Sequence, residues 1–126
     1  MFRVLILVLL VGLNSDVFAQ KEPDTFQTVV PKAHRFDGYS RIQNSEVRCR
    51  IERFYKKLNE ERSSEGYIIN YGNDREIASS EKAILAVRRT GCDIDCSRLT
   101  FVRSGGAGRR KTVLWLVPAG AALPAP

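Results

Sequence analysis

The segment Gly66-Tyr67-Ile68-Ile69-Asn70-Tyr71-Gly72 decides how this chain folds. Its middle is β-branched and aromatic, which suits a pleated, packed surface, and a glycine at each end marks where a strand would stop. Residues 67–71 are therefore expected to form a central strand. Upstream, Val47, Ile51, Phe54, Tyr55 and Leu58 fall at four-, three-, one- and three-residue steps and make one apolar stripe on a helix. Arg48, Arg50, Glu52, Arg53, Lys56 and Lys57 lie mostly off that stripe. Asn44 and Ser45 are capping residue types, and Glu46 puts a negative charge where a helix begins. The spacing predicts an amphipathic helix over residues 45–61, with Cys49 on its outer side.

Downstream, Ile77, Ala83, Ile84 and Val87 predict a second helix within residues 76–90, starting between Asp74 and Ser80. Leu99 to Val102 reads as a third strand. Ser104-Gly105-Gly106-Ala107-Gly108 reads as a flexible hairpin loop, and Lys111 to Val117 as a fourth strand stopped by Pro118. Arg35 to Asp37 supplies a short first strand before a bend at Gly38. The order is β-α-β-α-β-β. It implies an α+β fold, a two-layer α/β sandwich with both helices on one face of a four-stranded mixed sheet. Crossovers through helices call for parallel neighbours, and the short last loop calls for an antiparallel closing pair. The other sheet face would stay partly open to a partner or a second copy.

The N-terminus carries a different signal. Met1-Phe2-Arg3 is a short positive end, Val4 to Leu13 is an apolar run, and Val17-Phe18-Ala19 suits a signal peptidase, with Gln20 as the new terminus. Ten apolar residues rise only about 15 Å as a helix, half of a hydrocarbon core about 30 Å thick. Residues 1–19 are thus expected to be a cleaved signal peptide, leaving no membrane-spanning segment in a periplasmic or secreted protein. Residues 20–34, with Pro23 and Pro31, form an extended lead-in. Residues 35–118 form the domain, and residues 119–126 a disordered Ala/Pro tail.

The net charge of +6 is unchanged when Arg3 and Asp16 leave with the signal. In an exported domain it points to anionic polymers, anionic lipid heads or plain solvation, and away from nucleic acid. Three cysteines, Cys49, Cys92 and Cys96, would meet an oxidising compartment, and the short separation makes Cys92 and Cys96 the expected disulfide. With a single histidine, His34, and no Gly-x-Ser-x-Gly, paired-His or phosphate-loop motif, no enzyme, metal or cofactor is expected. Arg103, Arg109, Arg110 and Lys111 flank the glycine loop, either as an anion-binding patch or as a solvated hairpin tip.

The chain resembles the OmpA-like domain, a periplasmic module that holds the outer membrane to peptidoglycan. Arg35-Phe36-Asp37 is similar to that family's first strand, and Gly66 to Gly72 followed by Asp74 to its second strand and the aspartate after it. Cys96-Ser97-Arg98-Leu99 resembles the turn before its third strand. Leu114-Trp115-Leu116-Val117-Pro118 looks like the last strand of small exported acidobacterial members. The resemblance implies that an aspartate and an arginine face the ammonium and carboxylate of diaminopimelate through charge-assisted hydrogen bonds. Asp74 stands at the aspartate position. Lys82, in Ser79-Ser80-Glu81-Lys82-Ala83, or Arg75 beside Asp74, stands for the arginine. Against this, Asp74 could simply cap the helix and Lys82 be an ordinary surface residue. Two readings result: a non-catalytic envelope protein binding peptidoglycan, or an interaction module of the same fold that has lost wall binding and takes an envelope protein as partner.

Overall fold

The computed structural model describes residues 29–88, 95–106 and 108–126. Among the described residues, four strands and two helices follow in the expected order: β1 (His34–Tyr39), α1 (Asn44–Glu60), β2 (Ser64–Gly72), α2 (Asp74–Arg88), β3 (Leu99–Gly105) and β4 (Lys111–Pro118), with a 3-10 turn at Cys96–Arg98. The result is an α+β sandwich with both helices on one face of a mixed sheet. Among the described residues no helix is long and apolar enough to cross a membrane. The proposed signal peptide and Cys92 of the expected disulfide lie outside the described residues. Cys49 is exposed and free.

The predicted closing hairpin does not form. The sheet order is β1-β4-β2-β3, so β3 pairs only with β2, in parallel, while β4 lies antiparallel between β1 and β2. The reason lies in side-chain chemistry. β4 carries Val113, Leu114, Leu116 and Val117, buried on both of its faces. A strand apolar at both parities belongs in the middle of a sheet. β3 alternates between half-buried and exposed positions and suits an edge. The glycine loop therefore steps over the end of β2. Gly72, where β2 ends beneath that crossing, adopts φ 136°, a conformation that favours glycine, and a Cβ there would press on Glu76 at 3.1–3.3 Å.

The helix-facing core joins Ile51, Phe54, Tyr55 and Leu58 of α1 with Ile84 and Val87 of α2 over Ile68, Leu114 and Leu116. Tyr55 donates its hydroxyl to the Ile84 carbonyl at 2.9 Å, tying the two helices inside the core. Phe36, beside a register shift between Arg35 and Asp37, packs on Phe54 with ring centroids 5.5 Å apart. Asp37 accepts from the Arg50 guanidinium at 2.8 Å, closing β1 onto α1. Glu46, then Asp37, as hydrogen-bond acceptors raise the pKa of Arg50.

The opposite face is not open at its centre. Ile69, Val113 and Val117 alternate away from the helices, yet all three are buried. Tyr67, Tyr71 and Trp115 surround them half-buried, with the Lys111 ammonium 4.5 Å from the Tyr71 ring centroid. After β4 the tail opens on a turn in which Ala121 N donates to the Pro118 carbonyl at 3.0 Å.

Two residues set how closely α1 seats. Gly66 faces the helices, and a Cβ there would come within 2.8 Å of Leu58 and 2.9 Å of Leu99. The Arg98 Nη2 donates to the carbonyls of Leu58 (2.7 Å) in the last turn of α1, of Glu61 (2.9 Å), which also accepts from Ser64 N, and of Ser64 (2.7 Å) at the start of β2. Arg98→Ala should cost about 1–3 kcal/mol, because these carbonyls lose a charged donor. Thermal melts would show it, with Arg98→Lys recovering only part of the loss. Gly66→Val should destabilise by about 1–3 kcal/mol through overpacking. An unchanged urea midpoint for that variant would contradict this account of the α1 seat.

Candidate functional site

One row across the helix-facing side of the sheet is polar. Tyr39 of β1 is level with Thr112 of β4, Thr112 with Asn70 of β2, and Asn70 with Arg103 of β3. Thr112 donates to Asn70 Oδ1 at 2.7 Å, and both residues are buried. The Asn70 Nδ2 and the Tyr39 hydroxyl are buried without a hydrogen-bond partner. The phenol lies near enough to Thr112 to feel its hydroxyl but makes no well-formed bond with it. Buried polar groups left this way are costly, and two of the three among the described residues lie in this row, the third being Trp115 Nε1.

A cavity of about 400 Å³ opens at that end. Tyr39, the loop 40–43, Asn44 and Val47 of α1, Ser79, Ser80 and Ala83 of α2, and residues 110–112 line it. Arg41, Arg110 and Lys111 are the charged residues of that lining, with no Asp or Glu among them. Arg110 is half-buried and donates only to hydroxyls, Ser80 Oγ at 3.3 Å and Ser79 Oγ at 3.4 Å. A neighbouring groove of about 420 Å³ runs between the helices past Val47, Ala83, Ala86 and Val87, with Lys82 and Arg48 also lining it.

The residues singled out from sequence scatter around this end. Asp74 and Arg75 are exposed in the first turn of α2. Asp74 is not the cap: Asn73 Oδ1 accepts from Glu76 N at 2.8 Å, and Glu76 Oε1 accepts from Asn73 N at 3.1 Å. This is a reciprocal capping box, and it leaves the Asp74 side chain out of the cap. Lys82 sits eight residues along α2, about 12 Å of helix rise away, in the interhelical groove.

The four basic residues around the glycine loop do not form one patch. Arg103 grips Glu81 of α2 with two bonds of 2.9 Å. That pairing, with a lesser contribution from Asp74, raises the Arg103 pKa. Arg109 is exposed, Arg110 enters the cavity, and Lys111 turns to the other face over Tyr71. Sequence reasoning missed the polar row and the separate place of Arg110. Asn70 and Thr112, single polar residues inside otherwise apolar strands, were the available signal. Among the described residues no three His, Cys, Asp or Glu side chains gather to hold a metal ion.

Burial, above all, pushes the Tyr39 phenol up to about 12 from 10.0. A folded-state value above the unfolded one means stability is complete below pH 10 and declines as pH rises towards 12. Melts across that window should show the decline in the parent and a shallower one in Tyr39→Phe, which loses this titration. Below pH 10 the same variant should match or slightly exceed the parent, since it removes an unpaired hydroxyl.

No protein-family model matches the chain, and no curated protein is significantly similar to it.

Proposed function

We propose that this chain is a non-catalytic, exported cell-envelope protein whose OmpA-like domain binds the peptide of peptidoglycan. The observation that carries this reading is the free Asp74 carboxylate. Asn73 and Glu76 supply the helix cap between them, so Asp74 is not needed as the cap of α2. It projects from the positive end of a 15-residue helix with Arg75 beside it. An anion next to a cation, both exposed, complements a zwitterion such as diaminopimelate. The ammonium would go to Asp74 and the carboxylate to Arg75, with Lys82 as a further cation along α2. Binding of this kind rests on charge-assisted hydrogen bonds and needs no nucleophile or general base.

A second reading is an interaction module of the same fold without wall binding, taking an envelope protein as partner. The spread of Asp74 and Lys82 along α2 favours it, since one small zwitterion does not reach both. Retention of the chain on purified wall material separates the two. Under the first reading, Asp74→Ala should lower retention about tenfold or more, the scale of one charged hydrogen bond. Circular dichroism would check that the fold is kept. Equal retention of Asp74→Ala and the parent would remove the proposed site and leave the interaction module.

A further inference from the structure

We infer that the cavity between the β1–α1 loop, α2 and the start of β4 is a binding site for an oxyanion, a carboxylate or phosphate group gripped by Arg110. Among the described residues, the other arginines that reach across elements on the helix side are satisfied. Arg50 pairs with Asp37 and Glu46, Arg103 with Glu81, and Arg98 holds three carbonyls. Arg110 is the exception. The residue is half-buried against α2, no carboxylate among the described residues pairs with it, and its two contacts are long bonds to serine hydroxyls, the one to Ser79 at the exposed rim. Holding a cation partly out of water without a counter-charge is unfavourable, and an anion in the cavity would relieve it.

The surroundings supply the remaining donors. Tyr39 forms part of the cavity wall, but its hydroxyl is buried behind that wall and is not among the donors. Ser79 and Ser80 add two hydroxyls beside the guanidinium. The 17-residue α1 begins at the cavity, its Gln43 cap makes no side-chain hydrogen bond, and Glu46 is turned away onto Arg50. The positive end of that helix therefore adds to the field instead of being cancelled locally. A planar guanidinium fork with hydroxyl donors beside it matches the paired oxygens of a carboxylate or a phosphate. The volume, about 400 Å³, is many times the roughly 30 Å³ share of a water, so the anionic group can be carried on a larger polar body.

This site uses neither Asp74 nor the envelope reading, and its test is separate. The full chain would be titrated with acetate and, separately, with inorganic phosphate at constant ionic strength, followed by amide NMR. The expected result is saturable shifts with at least one anion, centred on residues 39–44, 79–83 and 110–112. Saturation with acetate alone assigns a carboxylate ligand, and with phosphate alone a phosphate. Arg110→Gln should weaken the binding at least tenfold. Ser79→Asp, which places a carboxylate beside the guanidinium at an exposed position, should do the same in a folded chain. Shifts that never saturate with either anion would overturn the inference, as would parental affinity in folded Ser79→Asp and Arg110→Gln. Anion binding unchanged by Asp74→Ala keeps this site distinct from wall retention.

Discussion

The structure depends on β4 lying inside the sheet. Its eight residues pair with β2 from Ser64↔Pro118 to Tyr71↔Lys111 and with β1 on the other side. Remove β4 and β1 has no neighbour, while β2 keeps only the edge strand β3. The last strand in sequence therefore joins the first to the rest. Much of the stabilising contact is between residues far apart along the chain, a topology that makes folding slow, because loop closure precedes the contacts that repay it.

The helix layer follows from the sheet. Ile68, Leu114 and Leu116 give α1 a flat apolar seat, and Gly66 lets Phe54 and Leu58 approach the backbone where a side chain would hold them off. Arg98 then clamps the far end of α1 to the start of β2. At the near end the Asp37–Arg50 pair holds α1 to β1. Between those two clamps, Tyr55 bonds the Ile84 carbonyl and sets α2 against α1. Each clamp joins a charged or hydroxyl donor on one element to an acceptor on another, so each fixes how two elements sit against one another.

Periodicity carried the elements well. The stripe Val47, Ile51, Phe54, Tyr55 and Leu58 predicts α1 within a residue at each end, since a 3.6-residue repeat is a strong signal over four turns. Pairing was not legible in the same way. A five-residue glycine loop between two strands reads as a hairpin, because nothing local distinguishes a return beside β3 from a step across β2. The distinguishing information sat in β4 itself, where Val113 and Val117 are apolar on the side away from the helices. That pattern also explains the buried middle of the second face, which sequence reasoning left open. At the site, Asp74 was recognisable by type, but its freedom became visible only once Asn73 and Glu76 were seen to share the capping.

The same crossing that completes the core also builds the polar end. Because β4 runs opposite to β1, β2 and β3, its start lies beside their C-terminal ends, and Thr112 falls level with Tyr39, Asn70 and Arg103. Had β4 returned as a hairpin partner of β3, it would have lain at the sheet edge, away from Tyr39 and Ser80. Passing over Gly72 carries Arg110 between α2 and the β1–α1 loop. A solvated loop tip could have ended in any polar residue. An arginine brought over the central strand and set against two serines, with no carboxylate in the cavity lining, presents a positive charge that an anion would complement. That unmatched positive charge is the physical case for a ligand at this end of the sandwich.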